Sequence, residues 1–298
     1  MRLPVLFTTL AAFALCLAPP AAAERLTLSP SGHLMTPVMV NGAGPFEFAV
    51  DTAAGGSVVY PALRDRLGLT PLEGGRASVQ GASGRASVSL FRLDQLIVAG
   101  RTRGPLTAVG LEAVGAAAPD LAGIVGVDVI SAFVAEFDAP GGRFLLHEPA
   151  ADLAGPGWTA VPFTLNRARF PVIEGMLDER PIVMLLDTGA RRTVINWAAA
   201  GALGIAPGDA AMSEAEPIRG ATDHQTPAVK RDFRSVVVGG VTLSAAEITI
   251  ADLPVFNQLG WADRPAMILG MDRLRSRRFA VDYPRTRLLV AAQAPPAR

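Results

Sequence analysis

The stretch Pro181-Ile182-Val183-Met184-Leu185-Leu186-Asp187-Thr188-Gly189-Ala190 decides how the chain is read. Five apolar residues in a row, bounded by Pro and by turn formers, read as a strand buried on both faces. A carboxylate directly after such a strand is costly unless it is hydrogen-bonded or functional. The small residues that follow let the backbone turn sharply and come close to another backbone. The same pattern stands earlier, as Pro45-Phe46-Glu47-Phe48-Ala49-Val50-Asp51-Thr52-Ala53-Ala54, with Asp51 and Asp187 136 residues apart.

Other landmarks recur in the same order. Gly81-Ala82-Ser83 matches Gly220-Ala221-Thr222 at an offset of 139, and Ala99-Gly100 matches Gly239-Gly240 at 140. Ile124-Val125-Gly126 matches Ile268-Leu269-Gly270 at 144. Asp138 and Asp282, each ending a strand-like run, are again 144 apart. The offset only grows along the chain, as longer loops in a second copy would make it. The chain is an internal duplication.

Each copy reads as strands with few helices. Strands are expected at Phe46–Val50, Ile182–Leu186, Leu93–Ala99 and Arg234–Val238. Short helices are expected at Pro61–Leu67 and Trp197–Leu203, before Gly68 and Gly204, and around Val127–Ala132 and Met271–Arg275. The Ala-, Gly- and Pro-rich segment after His147 reads as a linker. The expected domains are 24–147 and 161–298, joined by 148–160.

Composition agrees with a globular, turn-rich chain. Of 298 residues half are hydrophobic and 18% charged, with 30 Gly and 24 Pro. Basic and acidic residues balance at 27 each, which gives no reason to expect a nucleic-acid partner or an acidic membrane surface. Residues 1–23 read as a secretory signal peptide: Arg2, an apolar run from Leu3 to Leu17, and cleavage after Ala23. That implies a periplasmic or secreted protein with no membrane attachment once the signal is removed. A lipid-modified Cys16 fits poorly, because Leu15 rather than a small residue precedes it. Cleavage after Ala23 removes the only Cys, so no disulfide is expected.

Two Asp-Thr loops meeting at a pseudo-two-fold axis would bring two carboxylates together. Like charges so close share one proton. One carboxylate can then take a proton from water while the other protonates a carbonyl oxygen.

The arrangement resembles the retropepsin–pepsin superfamily of aspartic peptidases, in particular its exported bacterial members. The resemblance covers nearly all of the chain after the signal. It implies a mainly β fold of two retropepsin-like barrel lobes related by internal pseudo-two-fold symmetry. It also implies an Asp51/Asp187 dyad, and loop support from Thr52, Ala53, Thr188 and Gly189. Strands ending at Gly126 and Gly270 would be threaded beside those loops. Flaps would turn at Gly81, Ser83 and Gly84, and at Gly220 and Thr222. The implied activity is that of an aspartic endopeptidase acting on extended polypeptides, with no cofactor or metal. Retropepsins build this site from two chains; with both halves in one chain, a monomer would suffice. The first motif departs from the pattern: Ala53 stands where Gly is usual, and its methyl would crowd the loop if the backbone there needs φ > 0. The rival reading is a catalytically silent peptide-binding or scaffold protein with the same fold. A hydrolase for a cell-wall peptide is a third.

Other chemistries find less support. His33, His147 and His224 fall in no metal-ligand spacing. There is no Gly-x-Ser-x-Gly, so Ser83 reads as a turn residue. The Gly-rich segments 53–56 and 81–84 lack the Lys-Ser/Thr of a phosphate loop. Asp138 and Asp282 read as turn caps. Arg191 and Arg192 are either a solvated edge or a structural ion pair, or contacts to substrate or to the opposite lobe. Trp261 is either a cleft residue or a core aromatic.

Overall fold

The computed structural model describes residues 22–81, 84–111, 121–219, 225–243 and 246–292. Ser83, Gly220, Thr222, His224 and most of the expected signal peptide lie outside the described residues.

The two apolar runs form the strands Ala43–Val50 and Arg180–Leu186. Each sits in the middle of a ten-stranded sheet, with apolar residues against both faces. In Arg180–Leu186, Ile182, Met184 and Leu186 join the main core, while Val183 and Leu185 pack on the other side with Phe256 and Trp261. The period-2 alternation of a strand thus feeds two clusters from one apolar run. In the first lobe Phe46, Phe48 and Val50 face the main core, and Ala49 faces a smaller cluster with Met35, Val58 and Tyr60.

The sheets share one topology. Gly123–Val125 runs parallel to Ala43–Val50 and antiparallel to Val58–Val59. Ala266–Leu269 does the same between Arg180–Leu186 and Val194–Ile195. The hydrophobic-hydrophobic-Gly strand of each half is therefore threaded beside its own Asp loop. Outward from this triplet lies a hairpin, Pro71–Gly81 with Gly84–Leu93 in one lobe and Ser213–Arg219 with Gln225–Phe233 in the other. Gly81 and Gly84 close the first hairpin as its innermost pair.

A six-stranded sheet joins the lobes, in the order Glu24–Arg25, Arg143–His147, Val134–Asp138, Arg278–Asp282, Arg287–Ala291, Trp158–Pro162. Its central register carries the symmetry. Val134 pairs with Asp282, Asp138 with Arg278, and Glu136 with Ala280. Residues 134 and 278 are repeat equivalents, as are 138 and 282, so each strand offers the other the same surface. This is the self-complementary contact of a two-fold interface, made within one chain. The axis passes beside Glu136, which is 1% exposed and bound to His147 and Arg278. Burial pushes the Glu136 carboxyl up, but those two partners outweigh it and hold it below its usual range. Below the pair, Phe137 and Phe279 stack at 4.9 Å. The protein is mainly β, with two retropepsin-like lobes and five helices of four to seven residues among the described residues.

Several boundaries differ from the sequence expectation for local reasons. The run Leu93–Ala99 is not one strand: the chain bends at Asp94-Gln95, whose N–H groups both donate to Asn41 Oδ1, at 2.9 and 3.1 Å. The second copy bends likewise, with Arg234 and Ser235 donating to Asp178 Oδ1, so that strand is only Val236–Val238. The helices after Gly126 and Gly270 are Val127–Ile130 and Met271–Leu274, shorter than expected. A helix absent from the expectation, Pro254–Gln258, buries Phe256. The strand Trp158–Pro162 begins inside the segment read as linker.

Candidate active site

Asp51 and Asp187 leave their strands at the same point. The Asp51 N–H donates to Val125 O at 3.0 Å, and the Asp187 N–H to Leu269 O at 3.1 Å. The next residue of each loop crosses to the other lobe. Thr52 Oγ1 donates to Leu186 O and Thr188 Oγ1 to Val50 O, both at 2.7 Å. Each Thr N–H donates to the other's hydroxyl at 3.0 Å. Four reciprocal bonds, fully buried, thus lock the loops together, each hydroxyl donating one and accepting one.

The lock sets the two carboxyls within hydrogen-bonding reach of each other. Asp51 Oδ1 accepts the Ala53 N–H at 2.7 Å. Asp187 Oδ1 accepts the N–H groups of Gly189 and Ala190, at 2.9 and 2.8 Å. Burial raises both carboxyls above their usual range, and the neighbouring charge of Asp51 raises Asp187 further. Such a pair holds one proton over a wide pH range. Each Asp also keeps a partly exposed face. The arrangement can bind a water between an acid and a base and activate it.

Gly126 and Gly270 sit against these loops. A Cβ on Gly126 would lie 2.7 Å from Ala54 O, and one on Gly270 2.6 Å from the Arg192 carbonyl carbon. Only glycine leaves room for the two backbones to pass.

A model of the aspartyl protease family matches residues 36–129 and 173–273, one match in each lobe. The chain belongs to that family. No curated protein matches the sequence. Both matched regions of this aspartyl protease family member carry one Asp loop, one hydrophobic-hydrophobic-Gly strand and one Gly-x-Asp.

That last pair was missed in the sequence reading. Asp128 accepts the Ser57 N–H and hydroxyl at 3.0 and 2.9 Å, and Asp272 accepts the same two donors of Thr193 at 3.0 and 2.7 Å. The hydroxyls in turn accept the N–H groups of Gly126 and Gly270. Each Asp loop is thereby tied to its threaded strand. The signal was available: Asp128 and Asp272 follow the repeated glycines at the shared offset of 144. Replacing Asp272 by Ala strands two donors and should cost about 2–4 kcal/mol in thermal or urea unfolding. Asp272→Asn keeps an acceptor and should cost less than half as much.

Tyr60 was also missed. It is buried beside Ala49 and Val58 in the first lobe, and burial together with the charge of Asp51 pushes its hydroxyl up to about 12. Its repeat equivalent is Asn196, which caps the helix Trp197–Ala202 and touches neither carboxyl.

Ala53 brings no backbone strain, since its φ is not among the positive values. Its methyl packs toward the cluster around Val183 and Trp261 in the other lobe. Trp261 is 7% exposed within that cluster, which makes it a core aromatic. Arg191 crosses the lobe boundary and donates to Ser31 O at 3.0 Å. Burial and the Arg191 charge pull the nearby His33 down to about 4. Arg192 pairs with Glu216 of the second hairpin at 2.8 Å. Asp138 and Asp282 cap their turns through the Gly141 and Arg285 N–H groups, and both also hold arginines. Among the described residues no group of three or more His, Cys, Asp or Glu is placed to hold a metal ion.

Proposed function

We propose that this protein is an aspartic endopeptidase, in which Asp51 and Asp187 activate a water that attacks the peptide bond of an extended polypeptide. The reading is carried by one observation, the paired carboxyls held at hydrogen-bonding distance by reciprocal Thr52–Thr188 bonds. The ionised carboxylate takes a proton from the water. The protonated one donates to the carbonyl oxygen, so the tetrahedral intermediate forms without a covalent bond to the protein. Asp51 receives N–H groups from Ala53, Ala54 and Gly189, a donor set suited to the ionised partner. Asp187, the more strongly raised of the two, is suited to carry the proton. The hairpins can supply main-chain hydrogen bonds to a substrate in β conformation. The test is incubation with a diverse peptide library followed by mass spectrometry; cleavage that pepstatin-type inhibitors leave untouched would reject the reading.

The same proposal assigns residues 24–147 and 161–298 to the lobes and 148–160 to the linker. Residues 1–23 are assigned to a signal peptide removed after Ala23, with the protein acting as a monomer in the periplasm or outside the cell. N-terminal sequencing of the protein from fractionated cells checks this.

The pH profile follows from the residues around the pair. Ala54 and Ala190 direct N–H groups at the carboxyls, but their methyl side chains give the anion nothing more. A hydroxyl there would donate to the carboxylate and lower its pKa. Without it the shared proton is held to higher pH, and the singly protonated form is the active one. The optimum should be mildly acidic to near neutral. An Ala54→Ser/Ala190→Ser variant should shift both limbs acidward, by roughly one pH unit for one added charge-assisted hydrogen bond. Rates on one peptide across the range decide it: an optimum below about pH 4, or no acidward shift, would remove the two alanines as the cause.

A further inference from the structure

Each Asp loop is met by a turn from the opposite lobe, and the two turns share one frame. The Ser29 N–H donates to His33 O and the Gly32 N–H to Ser29 O; the Asn166 N–H donates to Phe170 O and the Arg169 N–H to Asn166 O. His33 and Phe170 are therefore repeat equivalents, 137 residues apart, as Gly55 and Arg191 are at 136. In one crossing Phe170 comes up to Gly55, its Cζ 3.9 Å from where a Cβ would stand. In the other, Arg191 lies over Gly32, its Cδ 3.4 Å from a Cβ built there, and donates to Ser31 O. The first crossing is made by groups that do not titrate. The second joins a cation to a turn that carries a histidine.

The hydrogen bonds of that turn depend on the charge of His33. Ser29 Oγ accepts the His33 N–H at 3.0 Å, the Ser29 and Ser31 hydroxyls lie 2.7 Å apart, and Ser31 Oγ is 2.9 Å from His33 Nδ1. With a neutral ring protonated on Nε2, Ser29 donates to Ser31 and Ser31 to Nδ1, and each hydroxyl gives one bond and takes one. A proton on Nδ1 reverses both bonds. Ser29, 5% exposed, would then accept twice and find no acceptor for its own proton among the described residues.

The same proton would set an imidazolium beside the Arg191 guanidinium, the charge that acts on this ring from the other lobe. The acids of the neighbouring elements are engaged elsewhere. Residues 28–34 hold none. On the adjoining strands Glu24 accepts the Arg25 N–H and Glu47 pairs with the Arg25 side chain. Asp51 and Asp187 face each other and their own loops. Burial and the Arg191 charge hold the ring down to about 4, below its unfolded value of 6.5. The contribution of the neutral turn to stability is therefore complete above the ordinary histidine range, and is lost as pH falls from there through about 4.

We infer that the Ser29–Ser31–His33 turn is an acid-sensitive seat for Arg191, a positioning residue that holds the Asp187 loop across the lobe boundary while His33 is neutral and releases it when His33 takes a proton. The inference takes its catalytic half from the peptidase reading, but the seat itself can be read without catalysis. Melting temperature, and kcat and KM on one peptide cleaved in the library screen, are followed from about pH 3 to 8 for the protein, His33→Phe, Arg191→Met and the double variant. Phenylalanine is the repeat's own residue at this place; should that variant not fold, His33→Gln takes its part. Between about pH 6.5 and 4 the wild type should lose several degrees more than His33→Phe. At neutral pH Arg191→Met should lower kcat by about tenfold with KM nearly unchanged, the scale of a slightly displaced reacting group. Near pH 3, where the seat has opened, the same substitution should cost less than about twofold, whereas in the His33→Phe background the tenfold loss should persist. An equal fall in melting temperature with and without His33, or an Arg191→Met loss that is the same at both ends of the range, would overturn the seat. The expected melting difference in a protein that cleaves no peptide would keep the seat and overturn the peptidase reading.

Discussion

Asp51→Asn and Asp187→Asn will each reduce peptide hydrolysis by at least about a thousandfold, the range of a lost general acid or base. Asparagine keeps the shape of the carboxyl and can still accept the loop N–H groups that hold it, from Ala53 on one side and from Gly189 and Ala190 on the other. What it cannot do is carry or release the shared proton. The fold should survive, and the sign of the stability change can be worked out. Burial raises both carboxyls, so over the window from the usual carboxylate range up to the raised values the folded state binds more protons than the unfolded one. Stability therefore falls as pH rises through that window, and ionising the pair costs the fold something at neutral pH. Removing one acid lifts that cost. Near pH 7 each Asn variant should melt at or above the wild-type temperature, the relief exceeding the hydrogen-bond strength lost on replacing the carboxylate. Because each chain carries its own pair, mixing the two single variants should restore nothing. Activity within tenfold of wild type in either variant, at unchanged melting temperature, would remove the Asp51/Asp187 pair as the source of the hydrolysis.

The duplicated motifs make the architecture readable from the sequence alone. An apolar run ending in Asp-Thr-small-Ala can be buried only if its carboxylate has a purpose, and two such runs at matched offsets imply two matched environments. The self-complementary register of Val134–Asp138 on Arg278–Asp282 is the same fact seen in three dimensions. Features resting on one side chain bonding to a distant backbone were harder to read. Asn41 and Asp178 bend a strand-like run more than fifty residues away in sequence, and no local pattern announces that. The helix Pro254–Gln258 is too short to display a period. Asp128 and Asp272 lay in plain view at the shared offset, but their purpose appears only when Ser57 and Thr193 come alongside. Arg191 and Arg192 are adjacent in sequence but go to different places, one to Ser31 in the other lobe and one to Glu216 in its own, and nothing local in the sequence separates them.

The two small residues that differ between the motifs, Ala53 and Gly189, should respond oppositely to exchange. A Cβ built on Gly189 would lie 2.2 Å from Asp51 Oδ2 and 2.4 Å from its Cγ. No side-chain rotation of an alanine avoids that contact, so either the Asp51 carboxyl or the loop must move. The carboxyl is held by the Ala53 N–H at 2.7 Å, and the loop by the Thr52–Thr188 bonds at its root. Both responses pull the acid away from its partner. Misplacement of a reacting group by about 1 Å is worth roughly a hundredfold in rate, and overpacking of this kind costs about 1–3 kcal/mol. Gly189→Ala should therefore lose at least about a hundredfold in activity and melt several degrees lower. The position needs glycine for space and not for backbone freedom, since Gly189 is not among the positive-φ residues. Ala53→Gly is the mirror change. It removes a methyl that packs on the far lobe and touches no requirement of the backbone. Its cost should be about 1 kcal/mol or less, from added freedom of the unfolded chain and a few lost contacts, with activity within a few-fold of wild type. Measured side by side, the pair distinguishes a dyad that leans over the second loop from one that sits evenly between both. An active Gly189→Ala, or an Ala53→Gly as damaged as it, would show that the Asp51 carboxyl does not rest where these contacts put it.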